Sequence, residues 1–423
     1  MNNYVEKYLS KYLCGYRKGF NTQYALALMI EKWKLSLDNS GHAAAVFMDL
    51  SKAFDTLNHE LLIAKLAAYG FEEQALAIVL DYLSNRWQRT KINTSFSTWA
   101  QLLKGVPQGS VLGPLLFNLY INDLFLNIDS THPCNFADDS SLNSCNTNLQ
   151  DLLRNLECDT LSVIMWFENN FMKLNQDKCH FLAGTKTNEH LWLQVGDCRI
   201  WESANEKLLG IIIDKKLTFN AHLTKLCNQV SQKVSALARV SKLLPFYRKR
   251  LLLKTFIESQ FSYCPLIWMF CSRKMNQRIN HIHERALRIV YNDYTASFED
   301  LLLKDKSVCI HHRNIQNLAI EMYKVKNGIS PPLLNEIFEE REESSTRSGF
   351  TFVRPKVSTV YKGLNSLRNF GPIVWNTMLP NAIKSSTSLD QFKNSIKSWT
   401  PDNCLCRLCK DYVQGVGFTH ITS

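Results

Sequence analysis

Two short stretches hold the residues best suited to chemistry: Phe47-Met48-Asp49-Leu50-Ser51-Lys52-Ala53-Phe54-Asp55 and Asn135-Phe136-Ala137-Asp138-Asp139. In the first, an apolar run from Ala43 to Met48 ends on a carboxylate, and an aromatic follows five positions later. In the second, paired carboxylates sit behind an aromatic in a turn-like arrangement. Strands that end in Asp, laid side by side, can hold two Mg²⁺ ions, because this hard cation prefers carboxylate oxygen. A closely spaced metal pair drives in-line phosphoryl transfer. Each stretch alone has a plainer reading. Asp pairs are common in turns because Asp hydrogen-bonds its own backbone, and an Asp after a strand often caps a helix.

The elements that would position these residues follow from periodicity. Residues 21–38 read as a helix, and Gly41 breaks it before a strand over Ala43–Leu50. Leu57–Tyr69 is amphipathic and stops at Gly70, a helix-ending glycine. A helix over Glu72–Leu83 and a strand of a hairpin over Arg89–Phe96 come next. Gly105–Ser110 is a loop, and Gly113-Pro114 opens an apolar helix to about Leu126. After the Asp138-Asp139 hairpin, Leu149 to about Asn169 reads as a helix. Strands are expected near Cys179–Gly184, Leu191–Val195 and Leu208–Ile213, the last because it is short, apolar and β-branched. Beyond Asp214 the pattern becomes helical, over Phe219–Leu244, Lys249–Phe261 and Met275–Val290. Glu339–Ser348 reads as an acidic, Ser-rich linker.

A chain of 423 residues with 45% hydrophobic and 11% aromatic residues is folded and long enough for two or three structural units. No apolar run reaches the length of a membrane span. The first residues lack the basic-then-apolar layout of a signal peptide. Thirteen cysteines form no disulfide framework. The expectation is an intracellular protein, neither secreted nor membrane-bound. Charge is one-sided: residues 220–330 hold 18 Lys and Arg against 7 Asp and Glu, of 49 and 38 in the whole chain, so the entire net +11 sits there. Arg248-Lys249-Arg250, Arg273-Lys274 with Arg278, and Arg285 with Arg288 could contact phosphates along a duplex. The plainer alternative is a solvated face that keeps the protein soluble.

In their order, these segments resemble the reverse transcriptases of non-LTR (LINE-type) retrotransposons, with a jockey-like flavour. Val46–Asp55 is similar to the first catalytic motif, and Gly105–Pro114 to the template-and-nucleotide loop with its following helix. Phe136-Ala137-Asp138-Asp139 resembles the aromatic-x-Asp-Asp box. Leu174–Lys178 sits where the family keeps a lysine near the triphosphate, and Leu208-Leu209-Gly210-Ile211 is similar to a primer-gripping hairpin. Gly15-Tyr16-Arg17-Lys18-Gly19 resembles a fingers motif.

The resemblance implies an α+β right-hand polymerase with a ferredoxin-like palm, partial fingers and a helical thumb. Residues 1–218 would form the partial fingers and palm, 219–335 the basic thumb, and 336–423 an acidic linker and C-terminal region. It implies two Mg²⁺ on Asp49, Asp138 and Asp139, with RNA template, DNA primer and dNTPs as partners. Phe54 would lie under the incoming sugar and reject a 2′-hydroxyl; core packing is the alternative for this residue. Gln108 and Gly109 would let the backbone approach the nascent pair, where a simple turn is the alternative. Arg17 or Lys18 would bind triphosphate oxygens, and Lys178 would protonate pyrophosphate, although a lone lysine is usually just solvated.

Cys404, Cys406 and Cys409, with His420, could complete a Zn²⁺ site, or could be free thiols. Family members carry an endonuclease and earlier fingers before the polymerase; their absence here implies a fragment of a longer polyprotein or a truncated copy. Two rivals follow. One is an inactive remnant that only binds nucleic acid through residues 220–330. The other is a host or intron-type polymerase. In either polymerase case the protein is expected in a cytoplasmic or nuclear ribonucleoprotein.

Overall fold

His42–Met48 is apolar apart from its first residue and becomes the inner strand β1, whose residues 43–48 are all buried. The computed structural model describes residues 2–175, 178–187, 189–340 and 351–401. These group into two compact units. One holds Met1–Ala25 and Ser40–Leu209; the other holds Leu26–Asn39 and the chain from Gly210 onward. The cut therefore falls at 209/210, whereas the sequence reading places it at 218/219.

The first unit opens with the short α1 (Asn2–Val5) and the start of α2 (Thr22–Asp38). After β1 come α3 (His59–Ala68) and α4 (Glu73–Leu83). Four short strands follow: β2 (Arg86–Gln88), β3 (Lys91–Ile92), β4 (Ser95–Phe96) and β5 (Ala100–Leu102). Then come α5 (Gly113–Ile121), β6 (His132–Phe136), β7 (Asp139–Asn146), α6 (Leu149–Asn169) and β8 (His180–Gly184). A hairpin of β9 (Trp192–Val195) and β10 (Cys198–Trp201) precedes β11 (Asn205–Leu208).

The main sheet has the order β6-β7-β1-β8, with every pairing antiparallel. Helices lie between β1 and β6 and between β7 and β8, so the strands follow the β-α-β-β-α-β plan of a ferredoxin-like fold. This bears out the expected α+β class. Along α6, Leu152, Leu156, Val163 and Phe167 form one buried stripe, the spacing that faces a helix onto a core.

Two expected strands break at turns. The segment expected as one strand over Arg89–Phe96 is split because Asn93 takes φ 53° and folds β3 back on β4. The run over Leu208–Ile213 is split because Leu209 and Gly210 take φ 46° and 82°. Two successive positive φ values make a tight hairpin turn, which the β-branched composition hides and the family resemblance anticipates.

The second unit begins with β12 (Ile211–Asp214) and continues through helices α7 (Asn220–Val240), α8 (Phe246–Leu252), α9 (Pro265–Trp268) and α10 (Arg273–Tyr291). It ends with α11 (Phe298–Asp305), α12 (Ile310–Lys326), α13 (Leu367–Ile373), α14 (Asn381–Lys384) and α15 (Leu389–Lys397). Ser272, Ser297 and Ser388 cap α10, α11 and α15 through their hydroxyls, satisfying N–H groups that the helix leaves open.

Part of α2 belongs here by its chemistry. Lys34 pairs with Glu31 at 3.1 Å and donates to the Asn365 carbonyl at 2.9 Å, while Asp38 accepts the Thr359 N–H at 2.7 Å. Residues 351–401 are packed against this unit: Phe392 stacks on Tyr323 at 4.3 Å and Phe352 is fully buried. Among the described residues, no helix is long and apolar enough to cross a membrane.

The helix expected over Lys249–Phe261 continues past α8 as a π-turn (Leu253–Ile257) and a 3₁₀ segment (Glu258–Ser262). Glu258 lies buried in that irregular stretch. It accepts from Arg313 at 2.9 Å and His283 Nε2 at 3.2 Å, with Lys254 at 3.4 Å. Burial alone would raise its carboxyl, but these donors hold it at about 2. Burial, aided by the Arg313 and Lys254 cations, keeps His283 below the usual imidazole value despite the pull of Glu258. A depressed histidine contributes stability that is present above the unfolded value, about 6.5, and lost as pH falls below it. The melting temperature should therefore drop between about pH 7.5 and 5.5. His283→Asn should flatten that segment of the profile, measured by circular dichroism melts; an equally steep decline in the variant would remove His283 as its source.

Candidate active site

The register of the main sheet brings the carboxylates together. Met48 of β1 faces Ser140 of β7, so the next positions, Asp49 and Asp139, lie at the same end of neighbouring strands. Asp138 occupies the two-residue turn between β6 and β7, with Ala137 at φ 59°. A left-handed alanine is unfavourable, and buried Asn135 clamps the turn. Its Nδ2 donates to the Ala137 carbonyl at 3.1 Å and to Ser140 Oγ at 2.8 Å.

Asp139 has a raised carboxyl pKa, first from partial burial and then from the negative charges of Asp138 and Asp49, with Lys207 on β11 opposing. Asp139 thus senses both of the other acids. Lys178 donates to Asp49 Oδ2 at 3.0 Å. It is brought there because residues 173–175 run beside 49–51: Ser51 N–H bonds the Lys173 carbonyl and Asn175 N–H bonds the Asp49 carbonyl, each at 2.9 Å. With Lys178 61% exposed, this pair adds little stability, at most about 1 kcal/mol. Among the described residues, no three His, Cys, Asp or Glu side chains converge as a ready metal cage. The donor set nevertheless suits a hard divalent cation: three carboxylates whose mutual repulsion a cation would relieve.

Around this edge, Phe54 stacks on buried Phe117 of α5 with ring centroids 4.4 Å apart, and Tyr16 meets it edge-on at 5.9 Å. The 105–110 loop is latched to the same stretch. Gly105 and Val106 N–H bond the Leu57 and Phe54 carbonyls at 2.8 and 2.9 Å, and Gln108 Nε2 donates to Asp55 Oδ1 at 2.8 Å. Gly109, at φ +80°, has open space around its Cα. The structure therefore brings Asp49, Asp138, Asp139 and Lys178 into one cluster, and ties Phe54 and Gln108 to its flank.

Other expected residues are placed differently. The Arg17 guanidinium is engaged within its own segment, by Glu6 at 2.7 Å and by the Ser10 and Leu13 carbonyls at 2.6 and 2.9 Å. Lys18 is exposed. Cys404, Cys406, Cys409 and His420 lie outside the described residues. In the basic helices, Arg250 bonds Asp305 at 3.0 Å, Arg288 bonds Glu284 at 2.7 Å, Arg278 bonds Asn228 at 2.6 Å, and Arg285 bonds Ser235 at 3.2 Å.

Tyr16, Asn135 and Lys207 were not singled out from sequence. The first two lie inside quoted motifs, so position could have flagged them; Lys207 carries no signal. Gly15 acquires a reason. Residues 13–14 run along Asn135, and a Cβ on Gly15 would stand 2.5 Å from the Ala137 nitrogen. The fingers-like motif is thus laid against the turn that carries Asp138.

The family model for reverse transcriptase (RNA-dependent DNA polymerase) matches residues 1–213. The chain belongs to that family. It is 26% identical over 298 residues to a probable RNA-directed DNA polymerase from transposon BS of Drosophila melanogaster, covering 65% of this chain and 32% of the relative. It is also 26% identical over 242 residues to the RNA-directed DNA polymerase from mobile element jockey of the same organism, covering 55% and 26%. The chain spans about a third or less of the length of these curated relatives. Both agree with the non-LTR retrotransposon resemblance drawn from the motifs. Among solved structures, apo telomerase from Candida tropicalis aligns at a TM-score of 0.38 and 11% identity, covering 79% of this chain and 58% of that one.

Because the Gly15 contact is with backbone, Gly15→Ala should displace the Asp138 turn and cost about 1–3 kcal/mol, as overpacking does. Urea denaturation measures it, and an unshifted midpoint would show that the turn has room to yield.

Proposed function

We propose that this chain is the polymerase portion of an RNA-directed DNA polymerase of a non-LTR retrotransposon, extending a primer 3′-hydroxyl with dNTPs on an RNA template. The observation that carries the reading is the gathering of Asp49, Asp138 and Asp139 at one end of a ferredoxin-like sheet. Asp49 and Asp138 would hold two Mg²⁺ ions, with Asp139 in support. Bound there, the ions would lower the pKa of the primer hydroxyl and neutralise charge on the leaving pyrophosphate. The 3′-hydroxyl would release its proton to solvent as its oxygen bonds the α-phosphorus, and the bond to the bridging oxygen of pyrophosphate would break.

The chain's own groups bind and orient. Phe54, its ring fixed on Phe117, forms the floor beneath the sugar and excludes a 2′-hydroxyl. Gln108, anchored on Asp55, holds the loop against the nascent pair. Lys178 carries a proton on Nζ for the leaving pyrophosphate. With Arg17 engaged in its own segment, exposed Lys18 is the better triphosphate contact. Residues 219–335 act as the basic thumb. A ribonucleoprotein setting follows from an RNA template.

The rival, binding without polymerisation, draws on the net charge gathered in 220–330. Primer extension on poly(rA)·oligo(dT) with Mg²⁺ and dTTP separates the two. The parent should extend, and Asp138→Ala should lose at least about a hundredfold, since even residues supporting a metal ligand cost 10–100-fold. Folded protein that binds the duplex yet leaves the primer unextended would favour the rival. For the sugar gate, Phe54→Ala should raise ribonucleotide incorporation relative to dNTPs by about tenfold or more; unchanged discrimination removes Phe54 from that role.

A further inference from the structure

The second unit contains a cavity of about 450 Å³, within the range of small-ligand pockets, about 300–1,000 Å³. Lys216, Arg273, Lys274 and Lys362 line it together with Tyr361 and Phe270, and among the described residues no Asp or Glu lines it. Four cations around one concavity repel one another, and low-dielectric walls focus that field outward. The neighbouring acids accept backbone N–H groups, and Asp214 also attracts Lys362. Asp214 accepts the N–H groups of Lys216, Thr218 and Phe219 at 2.7–3.1 Å, and Asp38 accepts those of Ser358 and Thr359. The Lys362 ammonium, which donates to the Lys216 carbonyl, is lowered to about 8, first by burial and then by the Lys34 charge, with Asp214 opposing. Tyr361, also in the lining, is 72% exposed.

We infer that this cavity is a nucleotide-binding site, taking a phosphate of an RNA strand on its lysines and arginine and the attached base against Tyr361. A cationic groove with an exposed ring is the recurring means of holding single strands. The lining comes wholly from the second unit, and part of it, Tyr361 and Lys362, lies beyond the helices where the chain's net charge resides. The site is independent of the polymerisation reading, since it shares no residue with the carboxylate cluster.

The test is binding of a short fluorescein-labelled oligo(U) to the full chain as KCl is raised, with no catalysis required. Lys274→Gln/Lys362→Gln should weaken binding about tenfold and reduce the salt slope by about one to two. Lys326→Gln/Lys393→Gln removes the same charge from residues that do not line the cavity and should have far less effect. Oligo(U) bearing 4-thiouridine should crosslink to the peptide containing Tyr361. Equal losses in the two double variants, or no loss in either, overturn the proposal. UMP titrated in the same assay separates the sources. Saturable UMP binding that the cavity variant abolishes, with oligo(U) unaffected, assigns the cavity to a free nucleotide. Competition by poly-Glu equal to that by unlabelled oligo(U) would show a general anion surface and overturn the nucleotide assignment.

Discussion

The antiparallel register between β1 and β7 is the constraint on which the candidate site depends. Pairing Met48 with Ser140 sets Asp49 beside Asp139. A slip by one residue would turn every side chain to the opposite face. Both faces of β1 are buried, so a slip would force side chains packed against one face into the differently shaped other face. The same register concentrates negative charge, which adds to the effect of partial burial in raising the Asp139 pKa.

Supporting contacts hold that edge rather than decorate it. Asn135 keeps Ala137 in an otherwise unfavourable conformation, the Gly15 segment lies against the turn, and the 173–175 segment carries Lys178 to Asp49. The aromatic flank is built the same way. Phe54 has a fixed plane because Phe117, on the helix that follows the 105–110 loop, lies beneath it. Loop and ring are therefore coupled through a few backbone hydrogen bonds, and a change in one reaches the other.

The second unit handles charge differently. Glu258 and Asp305 are buried and draw Arg313, His283, Arg250 and Lys254 around them. Buried ions survive only when so surrounded. Several basic residues that looked available for phosphate are therefore structural, and the net charge of a segment overstates the number of cations it offers. Among the described residues, those lining the Lys216–Lys362 cavity share its wall with no Asp or Glu.

Much of this was legible in the chain. The acid-ended apolar run, the Asp138-Asp139 box and the Leu149–Asn169 helix carry local signals: composition, period and turn chemistry. They identified the α+β class, and their order the family. What local pattern could not contain is pairing at a distance. That Lys178 lands on Asp49, that Arg17 turns back to Glu6, that Tyr16 meets Phe54 and that Leu26–Asn39 joins the C-terminal residues are outcomes of packing between segments far apart in sequence. Identical local propensities are compatible with many such pairings, and only the tertiary structure, by burying one set of surfaces and satisfying one set of polar groups, selects among them.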